Sequence, residues 1–269
     1  MNDASDAARI RIDRAHGGRV ARVVLNRPEL RNAFDDLLIV EAAAAFRQLS
    51  SDPLVRVIVL SGAGKSFCAG ADLNWMGRMA GYSLEQNARD SAALAGLFQI
   101  INESTRPVVA RIHGAALGGG TGLAAVADIV IAAEGTLFGT TEVRLGILPA
   151  VISPYVVRKI GETNARVWFL TGERFDAREA LRVGLVHRVV AESELDAAVE
   201  VTVSALLQGG PEALAEAKLL ARTMGSLPFA AAIPISIAKI SERRVSPEGQ
   251  EGMTAFLEKR PAEWTRIES

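Results

Sequence analysis

Residues 106–128, RPVVARIHGAALGGGTGLAAVAD, hold the main chain best suited to chemistry. Gly114, Gly118, Gly119, Gly120 and Gly122 lie between an apolar run at 108–112 and an apolar segment at 123–127. A strand, a glycine turn and a helix start leave N–H groups free at the helix N-terminus, where the helix dipole adds partial positive charge. Such a place takes an anion or a polarised oxygen, because glycine lets a ligand come close to the backbone. The same residues also read as a tight turn with close helix–strand packing. Gly120, Gly122 and Ala125 even match the loose GxGxxA spacing of a dinucleotide turn. The glycine turn alone does not decide among these.

Two other segments are small and glycine-bearing: 67–73 (FCAGADL) and 138–146 (FGTTEVRLG). The second brings a carboxylate, Glu142, after the neutral pair Thr140 and Thr141. In open α/β folds ligands gather at the carboxyl ends of strands. Two Gly/Ala turns converging there offer two N–H donors to one oxygen, which stabilises an oxyanion. A carboxylate beside them supplies proton transfer. Taken singly, the residues have plainer readings. Glu142 is a surface carboxylate and Asp72 an N-cap. Cys68, with no His near it in sequence, is a buried small hydrophobe. His113 reads as structural, and His16 and His187 are assigned nothing. No His pair sits at i, i+4, so no metal is expected. Gly64-Lys65-Ser66 does not end a Walker loop, whose first glycine would fall at Val59.

The elements that must hold these segments alternate strand and helix, an α/β pattern. Residues 9–14 and 20–25 read as a hairpin turning at Gly17-Gly18. Helical spacing runs through 34–49 and, despite Gly96, through 84–102. Apolar runs at 55–60, 108–112, 129–132 and 185–190, with a short one at 136–139, read as strands. Residues 140–154 read as a loop, 155–160 and 164–170 as helices, and Asp176 as the cap of a helix over 177–182. A further helix spans 195–207. After Gly209-Gly210-Pro211 only helices follow, over 212–224, 229–244 and 247–259. The chain is therefore divided into a core, 1–208, and a C-terminal helical region, 209–269.

The 269 residues are 49% hydrophobic but only 5% aromatic, so Ala, Val, Leu and Ile must fill the core. Thirty basic against 31 acidic residues exclude a general polyanion binder, and no nucleic-acid partner is expected. One cysteine excludes an intrachain disulfide and a cysteine zinc cluster. The N-terminus resembles neither a secretory signal nor a transit peptide, and no run of about 18 apolar residues predicts a membrane span. A cytoplasmic protein is the expectation.

The segments 67–73, 113–132 and 138–150, with LNRPELRNAF at 25–34, 170–190 and EGMTAFLEKRPAEW at 251–264, resemble the crotonase (enoyl-CoA hydratase/isomerase) superfamily in order along nearly the whole chain. The resemblance implies an α/β spiral of ββα turns, with C-terminal helices that assemble trimers or dimers of trimers. It implies acyl-CoA thioester substrates and no separate cofactor. It places the oxyanion donors at the N–H groups of Ala71 and Gly119, and the acid/base at Glu142. The adenine would meet the backbone of Ala69, Ala71 and Leu73, and the phosphates Arg27. Phe256 and Lys259 would contribute from a neighbouring subunit. Asp72, Gly118 and Gly122 complete the expected substrate-contacting set.

Many hydratases of the family carry two glutamates, and the first falls here on Gly122. That departure removes a carboxylate, and it is expected to open room for a branched acyl group. ADLNWM at 71–76 and 142–162 look like bacterial methylglutaconyl-CoA hydratases of leucine breakdown and related isohexenylglutaconyl-CoA hydratases. The expected reaction is reversible hydration of a branched 2-enoyl-CoA. The rivals are a Δ3-Δ2 enoyl-CoA isomerase on the same fold, an NAD-dependent dehydrogenase using the glycine turn, and an acyl-CoA binder without activity.

Overall fold

A computed structural model describes residues 8–266. In chain order the first half contains β1 (Ile10–Ala15), β2 (Val20–Leu25), α1 (Asp36–Ser51), β3 (Val57–Gly62), α2 (Leu73–Met79), α3 (Leu84–Glu103), β4 (Val108–Ile112), β5 (Ala115–Leu117) and α4 (Gly119–Val126). There follow β6 (Ile129–Ala133), β7 (Leu137–Gly139), α5 (Ser153–Thr171), β8 (Arg174–Asp176), α6 (Ala177–Arg182), β9 (Arg188–Val190) and α7 (Leu195–Gln208). Three helices close the chain: α8 (Pro211–Met224), α9 (Phe229–Val245) and α10 (Pro247–Leu257).

The main sheet has the order β1-β2-β3-β4-β6-β9, antiparallel only at the β1–β2 hairpin. Its inner strands β2, β3, β4 and β6 are apolar on both faces, as strands covered on both sides must be, whereas the edge strand β1 is mostly exposed. Alternation along β3 divides them: Ile58 and Leu60 join the larger core with α1, α3 and α4, while Val57 and Val59 face α7 through Leu195, Val199 and Val203. A second sheet, β5-β7-β8, is smaller.

Several expected boundaries moved for local reasons. The strand expected from residue 55 starts at Val57, because a turn carries the Val55 N–H back to the Asp52 carbonyl. The strand expected over 185–190 keeps only Arg188–Val190, because the N–H groups of Leu185 and Val186 both return to the Ala180 carbonyl and close α6. Residues 142–145 form a short 3-10 turn within the expected loop. The two helices expected on either side of 161 are joined in α5 across a non-helical Gly161 (φ 75°). Asp176 caps α6 as expected, accepting from the Glu179 N–H at 2.8 Å.

The C-terminal helices add little core: α8 and α9 bury no residue fully, and α10 only Ala255. Polar contacts hold them to the body. Arg56 donates to the carbonyls of Gly209 and Trp264, and the Trp264 indole donates to the Gln208 carbonyl at 2.9 Å.

One buried side chain ties the loop after β2 to the loop after β3. Asn32, fully buried with φ 56°, accepts from the Arg27 N–H at 2.8 Å and donates to the carbonyls of Ala63 and Ser66, each at 2.8 Å. Replacing it by alanine orphans three backbone groups, that of Ser66 buried and those of Arg27 and Ala63 half-buried, at about 1–3 kcal/mol for each one left unsatisfied. Asn32→Ala should therefore lower unfolding stability by about 3 kcal/mol or more in a urea titration, and a loss below about 1 kcal/mol would show that the two loops are held otherwise.

Candidate active site

Three loop segments are laced together by backbone hydrogen bonds. Residue 69 donates to the Arg31 carbonyl (3.0 Å), Phe34 to Gly70 (2.7 Å) and Asp72 to Phe34 (2.8 Å). On the other side Cys68 donates to Ala115 and receives from Leu117, both at 2.9 Å. The segment 67–72 thus runs between residues 31–34 and β5, tied by isolated parallel bridges at Phe34–Ala71 and Cys68–Ala116.

This pairing leaves one donor over. Where Phe34 bridges Ala71, its bonds go to Gly70 and Asp72, so the N–H of Ala71 points to the opposite side, as alternation along a strand requires. There β5 has ended, and the chain has turned at Gly118 into α4. Gly118 has φ 52° and ψ −117°, a conformation that glycine tolerates. The N–H of Gly118 is spent on the Gly139 carbonyl at 2.8 Å, whereas the N–H of Gly119, first in the helix, has no acceptor among the described residues; nor has that of Ala71. The two segments touch, since a Cβ added to Gly118 would lie 3.8 Å from Gly70 Cα.

Glu142 joins them. The same Cβ would lie 3.2 Å from Glu142 Oε1, so the carboxyl sits over the bend that presents the Gly119 N–H. Thr121 fixes the bend to β7: its hydroxyl donates to the Ala116 carbonyl (2.7 Å) and accepts from the Gly139 N–H (3.2 Å). The structure thus brings together Ala71, Gly118, Gly119 and Glu142. Two free N–H groups and a half-buried carboxyl can hold an oxyanion and move a proton beside it.

Other expected site residues are placed differently. Ala69, Ala71, Asp72 and Leu73 line a cleft of about 420 Å³ with Leu30, Arg31 and Ala33. Arg27 is turned away from that role. Its guanidinium pairs with Asp72 (2.9 Å) and Asp35 (3.2 Å) and donates to the Ala33 carbonyl (2.6 Å). Arg31, held at φ 50°, is the cation that lines the cleft, and the motif alone did not separate the two arginines. Asp72 is the cap expected of it, accepting from the N–H groups of Asn74 and Trp75 at the start of α2. Burial would raise its carboxyl, but those two N–H groups and Arg27 hold it below the ordinary value. Phe256 and Lys259 lie at the end of α10, both exposed, and α10 packs on α8 and α9.

The glycines beyond Gly119 are explained by packing. A Cβ on Gly120 would meet the Cys68 carbonyl at 2.5 Å. At Gly122 it would run into Ile152 Cγ2 and lie 3.0 Å from two atoms of the Phe98 ring. The expectation that Gly122 opens an acyl pocket is therefore corrected: two buried side chains already fill that volume. The GxGxxA spacing has the same origin. Cys68 is fully buried, and burial pushes its thiol up to about 12, so it serves as packing. His113 donates from Nε2 to the Gly64 carbonyl (2.8 Å) and accepts at Nδ1 from Arg111, the bonds of a structural histidine.

Residues 15–267 match the sequence profile of the family described as enoyl-CoA hydratase/isomerase. The crotonyl-CoA hydratase of Syntrophomonas wolfei is 34% identical over 247 residues, covering 91% of this chain and 94% of the relative. The crystal structure of an enoyl-CoA hydratase from Shewanella pealeana superposes with a TM-score of 0.91 at 38% identity, covering 95% of this chain and 96% of that one. AtuE of Pseudomonas aeruginosa superposes equally well, with a TM-score of 0.91, 38% identity, and coverage of 96% and 100%.

Burial raises the Glu142 carboxyl above its ordinary value, and Oε2 is buried without a hydrogen-bond partner. A carboxyl raised in the folded state binds its proton more tightly there than in the unfolded chain. It therefore costs stability as pH climbs through the unfolded and then the folded value, and costs none in acid. Glutamine at this position carries no charge at any pH. Glu142→Gln should raise Tm at neutral pH, with the gain shrinking toward acid; a Tm difference independent of pH would show that Glu142 is not strained by burial.

Proposed function

The chain belongs to the enoyl-CoA hydratase/isomerase family, and from that premise we propose that it adds water reversibly to the double bond of a 2-enoyl-CoA thioester. The observation that carries this reading is the meeting of two unpaired N–H groups, Ala71 and Gly119, with the half-buried carboxyl of Glu142. The thioester oxygen sits between the two donors. As the oxygen of water bonds to C3, the C2–C3 π pair moves toward the carbonyl and the oxygen gains charge, which the N–H pair stabilises. Glu142 takes the proton released by that water and returns it to C2, so one carboxyl completes the addition. Each such donor is worth about 3 kcal/mol to the charged state.

The CoA portion enters by the cleft at Ala69, Ala71, Asp72 and Leu73, with Arg31 as the cation for its phosphates. The finer substrate reading is a 3-methylglutaconyl-type ester branched at C3. Its support is the likeness of segments 71–76 and 142–162 to that subgroup, since no volume is freed at Gly122. A second reading, migration of a double bond between C3 and C2, is favoured by the absence of any side chain at position 122: one carboxyl suffices to carry a proton between two carbons.

Glu142→Gln keeps shape but loses the proton carrier. It should lower kcat by about 10²–10⁴-fold with KM little changed. Crotonyl-CoA, 3-methylglutaconyl-CoA and a 3-enoyl-CoA, followed by mass, separate hydration from isomerisation; activity within about threefold of the native enzyme would reject Glu142 as the acid/base.

The C-terminal helices are read as a subunit interface, in a trimer or a dimer of trimers, with Phe256 and Lys259 meeting a neighbouring subunit's substrate. Phe229 (86% exposed), Ile237 (60%) and Phe256 (83%) leave apolar surface on helices that have no core of their own. Removal of 209–269 should abolish the assembly by light scattering. A truncated chain with unchanged oligomer mass would refute this role.

A further inference from the structure

The two free N–H groups belong to different segments, and Phe34 touches both. Its backbone forms the rung beside Ala71: the Phe34 N–H donates to the Gly70 carbonyl at 2.7 Å, and the Phe34 carbonyl accepts from the Asp72 N–H at 2.8 Å. Those bonds grip the residues on either side of Ala71 and leave its own N–H unused. The ring of the same residue reaches the other donor. A Cβ on Gly119 would lie 2.7 Å from Phe34 Cε2 and 2.9 Å from Cδ2, so the ring edge rests against the Gly119 α-carbon. Any side chain at 119 would push the ring or the start of α4 aside.

The ring is itself held. It is 1% exposed and meets the Phe98 ring edge-on, with centroids 6.3 Å apart. The chain on both sides of it is anchored. Asn32, two residues before, is locked by its bonds to Arg27, Ala63 and Ser66. Asp35, directly after, caps α1 through the Leu38 N–H at 2.8 Å and pairs with Arg9 at 3.0 Å and Arg27 at 3.2 Å. A rigid ring on an anchored backbone, packed on its far side, acts as a strut of fixed length.

We propose that Phe34 is a positioning residue: its backbone holds the Ala71 donor and its ring holds the Gly119 donor, so its length sets the gap into which one thioester oxygen fits. The inference rests on the thioester reading above and deepens it. Phe34 acts only through the two donors. An oxyanion is stabilised when both donors are aimed at the place the oxygen will occupy, and a misplacement of about 1 Å costs about 10²-fold in rate. Shortening the strut therefore weakens polarisation of the carbonyl more than binding of the CoA portion, which uses the cleft at Ala69 and Leu73.

The test uses the full-length chain and butyryl-CoA, a saturated thioester with no double bond to hydrate. Two N–H donors should lower the infrared carbonyl frequency of the bound thioester below that of the free one. Phe34→Leu removes Cε1, Cε2 and Cζ, and Phe34→Met keeps bulk without rigidity; both should move the band back toward the free position. Each should lower kcat about 10–100-fold on the thioester that the native enzyme turns over fastest, with KM changed less than about threefold. Phe46→Leu is the control, since Phe46 is fully buried in the same core on α1. It should lower Tm as Phe34→Leu does and leave the band and kcat at native values. A native band position in a folded Phe34 variant overturns the proposal, and so does an equal band shift in Phe46→Leu. Should Phe34→Leu fail to fold, Phe34→Met decides, because exchanges that conserve volume are tolerated best. A native chain that leaves the butyryl-CoA band unshifted removes the functional reading and this inference with it. A shifted native band that the Phe34 variants do not move removes the inference alone.

Discussion

Two backbone N–H groups without acceptors are the constraint on which the site depends. An amide without an acceptor is costly only where water cannot reach it; Gly119 is half-buried and Ala71 is exposed, so leaving both free is tolerated. Here a pair arises because the segment 67–72 runs on past the end of β5: β5 stops at Leu117, and the chain bends at Gly118 into α4. Everything around the pair keeps it in place. Asn32 locks the flanking loops, Thr121 pins the first turn of α4 to β7, and the Phe34 ring closes against Gly119 at 2.7 Å from where a Cβ would stand. These bonds hold both N–H groups in place without spending either of them.

Glu142 meets the same tension from the other sign. Burial disfavours its charged form, yet a proton acceptor must be charged to work. A carboxyl raised toward the working pH is a better proton carrier, because it both takes and gives the proton readily. The same burial weakens the fold at neutral pH. In the proposed role, activity and stability therefore pull the residue in opposite directions.

Much of this was legible in the sequence because it depends on backbone. The glycines of 114–122, the Gly/Ala run at 67–71 and the apolar strands mark where the chain must bend or be buried, so the three converging segments could be read in order. What was not legible depends on which way side chains turn. Arg27 and Arg31 share one motif, and only the fold shows that Arg27 is consumed by Asp72 and Asp35 while Arg31 lines the cleft. Gly122 was read as space because a glycine carries no record of its neighbours; Ile152 is thirty residues away and declares itself only on packing. The shortened strand at β9 had the same cause: the apolar pattern of 185–187 cannot say that two N–H groups are already committed to α6.

The far end of α4 shows why the C-terminal helices bear on the site. The helix is eight residues long, so only about 12 Å separate its last turn from the Gly119 N–H. At its last turn the Lys159 ammonium, from α5, donates to the Ala127 carbonyl at 2.7 Å. Burial lowers that amine to about 8, with Asp128 opposing the shift and Lys218 adding to it. Asp128 in turn accepts the Val108 N–H at 2.7 Å and pairs with Lys218 of α8 at 2.8 Å. A cation at a helix C-terminus complements the dipole whose positive end presents the Gly119 N–H. The chain of contacts from α8 through Asp128 to α4 is short, buried and charged, so a displacement of α8 is felt at the end of the helix that carries one of the two donors. The C-terminal helices and α4 are joined there by ionic contacts, which fix position more sharply than the sparse apolar packing of α8 does.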